Sequence, residues 1–299
     1  NGVTGVFEEN FAQWGVGAVA GSEKKKLYIK DSSEAFSAYA TGRENIAKVD
    51  LRFKLKPRYN FFVWILEALL SYFTQSVPPP SDRVDIVITP FAQYDIFISA
   101  VVSKLGMDDL RKYNYFLSLT KTTESSELPD TFVYMSEAAD FHKKTTTDKL
   151  LSALNVQAAS WLRYIAFTDQ SIERPETLAE CAPVRKIIIS TLLITGKNEL
   201  KTLSEILDAV FDVVDKFGAG EIHFESLKKV LQTRENEVSK FKKLAQEAEA
   251  ERLADEKAEA LRKEREAIRK LSPEEQERIE KKAADKKQRK AQRKQRLRV

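Results

Sequence analysis

The residues with the clearest chemical purpose are basic and crowd one end of the chain. Lys281, Lys282, Lys286, Lys287, Arg289, Lys290, Arg293, Lys294, Arg296 and Arg298 stand against the single acid Asp285. On a helix, Lys282, Lys286, Arg289, Arg293 and Arg296 share one face, and Lys287, Lys290, Lys294 and Arg298 cover much of the next. Positive charge clustered this tightly is the electrostatic footprint of polyanion binding, nucleic acid above all. No aromatic residue follows Phe241, so base stacking is excluded and recognition is of phosphates and shape. A solvated tail or a localisation signal is the plainer alternative. With no large apolar stripe, this segment is poorly suited to lie in a membrane.

Elsewhere the side chains offer little covalent chemistry. His142, His223 and Cys181 are the only histidines and the only cysteine, too few for a tetrahedral zinc site without carboxylates of no recognisable spacing. Thr195-Gly-Lys197 lacks the first glycine and the hydroxyl residue of a phosphate loop, and Gly15-Val-Gly17 lacks the third glycine of a dinucleotide loop. Asp108-Asp109 and Glu8-Glu9 suit helix starts and solvated faces, since adjacent side chains do not converge. Cys181 has no helix start or base beside it to activate a thiolate. No catalytic, metal or cofactor set is expected, and the chain reads as non-enzymatic.

The elements that position the basic end come next. The formal charge of +4 is carried by that end, and the body before it is slightly acidic. One cysteine allows no intramolecular disulfide and fits a reducing compartment. The opening at Asn1, without methionine or signal pattern, reads as a fragment with sequence upstream. The body divides into short strands at Leu27–Lys30, Ala35–Thr41, Ala47–Lys56, Arg83–Thr89, Ile96–Val102, Phe132–Met135, Arg163–Thr168 and Ile187–Ile194. Val49, Leu51, Phe53 and Leu55 alternate with charged residues, as on a strand with one wet face. Ile187 to Ile194 is apolar at nearly every position, as at the centre of a sheet covered on both faces.

Helices are expected up to Trp14, over Asp108–Leu119 and Thr147–Ala159, and over Glu199–Phe217, where apolar residues recur at helical spacing. Asn60 to Phe73 is the densest apolar run. With Glu67 at its centre it falls short of the ~20 residues of a spanning helix, so a buried or partner-facing helix is expected, with an in-plane interfacial one as the alternative. The fold class is α+β, a mixed or antiparallel sheet covered by helices and followed by a long charged helical arm. The expected division is a globular domain over residues 1–222 and the arm over 223–299.

In the arm, a helix over about residues 224–271 gives way to a joint at 271–272 and a basic helix over 272–298. Ser272-Pro-Glu-Glu275 carries the signal: a serine cap, proline in the first turn and glutamate three residues on. A heptad carried from Val238, Phe241, Ala245 and Ala248 meets Arg252 and Asp255 at core positions, against a sustained coiled coil. At about 1.5 Å per residue the first helix reaches about 67 Å.

The order of parts resembles the calumin family, the coiled-coil endoplasmic-reticulum proteins of the PAT complex, the protein complex associated with the translocon. The resemblance rests on Val49-Asp-Leu-Arg-Phe-Lys-Leu55 leading into an apolar helix, on Pro80-Ser-Asp-Arg-Val-Asp-Ile-Val87, on Leu128-Pro-Asp130 with Met135-Ser-Glu137, on Ile165-Ala-Phe-Thr-Asp-Gln170, and on the lysine-rich end. It covers nearly the whole chain, and the order of the motifs carries more weight than any one of them. The family's acidic luminal segment and transmembrane helix do not appear in this sequence, which is similar to the cytosolic portion only. The resemblance implies a ribosome-associated intramembrane-chaperone subunit at the cytosolic face of the endoplasmic reticulum membrane. Its implied partners are rRNA near the exit tunnel, the Sec61 translocon, a small membrane protein of the PAT complex and nascent multipass membrane proteins. A homodimeric coiled-coil scaffold is the alternative.

Overall fold

A computed structural model describes residues 4–16, 27–58, 60–73, 80–91, 93–175, 177 and 179–269. The elements of the first half are α1 (Thr4–Asn10), β1 (Gln13–Trp14), β2 (Ile29–Lys30), β3 (Ala35–Thr41), β4 (Ile46–Lys54), α2 (Phe61–Phe73), β5 (Arg83–Pro90), β6 (Ser99–Ser103), α3 (Met107–Tyr113) and α4 (Tyr115–Ser118). The second half contains β7 (Lys121–Thr123), β8 (Phe132–Ser136), α5 (Ala139–Thr145), α6 (Asp148–Ala153), a short 3-10 turn (Ala158–Ser160), β9 (Leu162–Thr168), β10 (Lys186–Leu192), α7 (Lys197–Gly218) and α8 (Leu227–Arg269). The chain divides into two compact units, Asn1–Val238 and Ser239–Val299.

Among the described residues the first unit is built on one ten-stranded sheet in the order β1-β3-β4-β5-β10-β9-β6-β8-β7, with β2 on β3. Every pairing is antiparallel. β10 lies in the middle, with Ile187, Ile188 and Ile189 fully buried, as its unbroken apolar run requires. Val49, Leu51 and Phe53 of β4, Ile86 and Ile88 of β5, and Ile187 and Ile189 of β10 point to one face, where α1, α5, α6 and α7 complete the main core. Leu203, Ile206, Leu207, Val210, Val213, Val214 and Phe217 form the buried stripe of α7. The opposite face is covered over β6, β8 and β9 by Leu110 of α3 and by Phe116 and Leu117 of α4, which pack on Ile98, Ala100, Val102, Val133, Met135 and Ile188. Beyond that cover, β3, β4 and β5 turn Tyr39, Asp50, Arg52 and Asp85 outward.

Several elements depart from the expectations, each for a local reason. The helix expected over Asp108–Leu119 breaks at Asn114, whose extended backbone (φ −121°, ψ 105°) and side chain, donating to the Leu110 carbonyl at 2.7 Å, stop α3 before α4 begins. The helix expected over Thr147–Ala159 ends at Ala153; Thr147 caps its start, and the Asn155 carboxamide accepts the Ala158 N–H at 2.7 Å to begin a tighter turn. Trp14 is not in a helix tail but in β1, opposite Ala40. α5 was not expected from its polar sequence, yet it buries Phe141 and His142. Helix α8 starts at Leu227 rather than near 224, because Phe224 is buried between Phe97 and Phe141, at ring distances of 4.5 and 4.9 Å. The joint at 271–272 and the basic helix over 272–298 lie outside the described residues.

The β3–β4 hairpin tip pins the sheet to the helices behind it. Gly42 has φ +92° and Asn45 has φ 64°, both left-handed. Arg43 donates to Asp215 of α7 at 2.7 Å and to Asn10 of α1, and its guanidinium lies 5.3 Å over the Phe211 ring. A Cβ at Gly42 meets the Ala12 Cβ at 2.7 Å on a backbone that side chains disfavour. Gly42→Ala is therefore expected to destabilise the domain by about 1–3 kcal/mol, read as a lower urea midpoint, whereas Asn45→Gly is expected to leave it nearly unchanged.

Candidate interaction surfaces

The reactive-looking side chains resolve into structural ones. His142 stacks on Tyr134 at 4.2 Å, and its Nδ1 lies 2.8 Å from the Ser136 Oγ. That hydroxyl already donates to the Ala138 carbonyl at 3.0 Å, so the histidine Nδ1 is the donor in their contact and cannot act as a base toward serine. Burial, with the Lys143 charge, lowers the His142 pKa and favours its neutral form. Burial and the Glu180 and Glu237 charges raise the Cys181 thiol pKa, away from a reactive thiolate. Gly196 precedes the first turn of α7 and its carbonyl accepts the Leu200 N–H, an ordinary helix start. Among the described residues no group of three or more metal-ligating side chains assembles.

What the domain does present is helix α2. Asn60 starts it, its side-chain oxygen accepting the Val63 N–H at 3.2 Å. The chain enters from β4 and continues into β5, so both connections lead to the same end of the sheet. Of the two expected settings, buried or partner-facing, burial does not occur: no residue of α2 is buried, and its exposed large apolar residues run from 40% at Trp64 to 86% at Tyr72. Phe61, Phe62, Ile65, Leu66, Leu69, Leu70 and Phe73 are also exposed. An apolar area this continuous has the character of an interaction surface. At its root, Asp82 accepts the Lys56 N–H at 2.9 Å and bonds to the Arg58 guanidinium, tying the two connections together. Burial works against the Asp82 carboxylate, but the Lys56 amide and Arg58 outweigh it and hold the pKa below the ordinary value. No described helix is long and apolar enough to cross a membrane.

The second feature is the attachment of α8. Asp140 accepts the N–H groups of Glu225 and Ser226 at 3.0 and 3.2 Å, just before the helix starts. About two turns into α8, Arg234 makes two bidentate pairs. Nη1 and Nη2 reach the Glu137 oxygens at 2.8 and 3.0 Å, and Nε and Nη2 reach those of Asp169 at 2.9 and 2.8 Å. Side-chain exposure is only 12%, 7% and 1% for Arg234, Glu137 and Asp169. Glu137 also accepts the Ile98 N–H and Asp169 the Gln170 carboxamide, so the buried carboxylates are well supplied with donors. Burial nevertheless drives the Glu137 pKa upward. The sequence does not single out Arg234, and no local pattern marks it, since its partners lie 97 and 65 residues away.

Past Val238 the helix belongs to the second unit and its described side chains are exposed or half-exposed. Arg252 pairs with Glu256 and Lys263 with Glu259 within the helix, in place of an apolar seam. The ten basic residues from Lys281 to Arg298 lie outside the described residues.

The described residues thus present an exposed apolar helix, α2, and a long charged helix, α8, on a sheet domain. The chain matches the family described as PAT complex subunit CCDC47 over residues 1–290, and it belongs to that family. It is 29% identical over 265 residues to the UPF0674 endoplasmic reticulum membrane protein YNR021W of Saccharomyces cerevisiae, covering 77% of this chain and 64% of that protein. It is 33% identical over 179 residues to the UPF0674 endoplasmic reticulum membrane protein C2G5.01 of Schizosaccharomyces pombe, covering 57% of this chain and 46% of that protein. The matched stretches thus span less than two thirds of either relative. The resemblance read from the sequence motifs holds, and the family is one of complex subunits at the endoplasmic reticulum, not an enzyme family.

Removing the Arg234 guanidinium strands two buried carboxylates. Arg234→Met is expected to cost roughly 3–5 kcal/mol, whereas Glu137→Gln, which leaves a neutral Arg234–Asp169 pair, is expected to cost about 1 kcal/mol. In Arg234→Met the Glu137 carboxyl, whose pKa burial already pushes up, loses its counter-charge, so its folded-state pKa lies above the unfolded value and stability is gained as pH falls from 7 toward 5. Urea unfolding of both variants across that pH range checks the order and the sign.

Proposed function

We propose that this chain is a non-enzymatic, ribosome- and translocon-associated subunit that assists insertion and folding of multipass membrane proteins from the cytosolic face of the endoplasmic reticulum membrane. The domain, about residues 1–222, sits beside the Sec61 translocon and a small membrane partner, with α2 as its apolar contact toward membrane-embedded partners and nascent chains. The arm, 223–299, carries Lys281 to Arg298 to rRNA phosphates near the exit tunnel. The observation that carries this reading is the buried double pairing of Arg234, which fixes the base of the charged helix on the sheet domain. A helix rigidly rooted at one end suits the placement of a basic segment.

The competing reading, a homodimeric coiled-coil scaffold, is disfavoured by the exposed, intrahelical ion pair of Arg252 at a position where a heptad needs an apolar residue. Ribosome co-sedimentation of the intact chain against a version ending at Leu271 separates the two. The intact chain is expected to pellet with ribosomes and the shortened one to stay in the supernatant. If about six phosphates are engaged, log affinity falls against log salt with a slope of about −4 to −5. Equal co-sedimentation of both versions, or charge reversal of Lys281 to Arg298 without effect, would sink the proposal.

A further inference from the structure

We draw no further inference here: the strongest candidate, the exposed apolar face of α2 at the end of the sheet between β4 and β5, carries nothing because nothing in the structure shows what covers it.

Discussion

The sheet can bury both faces only at its centre, because α7 and its neighbours span the first face while α3 and α4 reach only β6, β8, β9 and the adjoining part of β10 on the second. The composition of the strands follows that limit. β10 is apolar on both sides, whereas β4 and β5 are apolar on one side and turn Asp50, Arg52, Arg83 and Asp85 outward on the other. The charged half-face is thus a consequence of how far two short helices extend. It is also where the chain departs for α2.

The attachment of α8 depends on the same architecture. Glu137 follows the end of β8 and Asp169 follows the end of β9, so antiparallel packing on either side of β6 brings two acids from distant parts of the chain to one point. Two buried carboxylates on one guanidinium carry a high desolvation cost, and they persist because six donated hydrogen bonds leave few lone pairs bare. Asp140 adds a second tie by accepting two amides before the helix starts. The long charged helix consequently begins from a fixed base, whatever its composition further on.

Helix α2 is the place where composition misleads most. Its apolar content equals that of a core element, and its length and central Glu67 argue against a membrane span, so a buried or partner-facing helix is the natural expectation. The structure leaves it uncovered because its two connections both leave from a sheet end whose main-core face is already filled by α7.

Sequence alone determined the α+β class, the central position of the Ile187–Ile189 strand, the wet face of β4, the buried stripe of α7 and the presence of a long C-terminal helix. Each of these is written in the periodicity or composition of a continuous segment, and local periodicity survives whatever the rest of the chain does. The same holds for the motif order that marks the family. Only the tertiary structure decided that Arg234 is a buried clamp and not a solvated charge, that α2 is exposed and that α3 ends at Asn114. Those facts depend on which strands become neighbours, and pairing over 65 to 97 residues leaves no periodic trace in either partner.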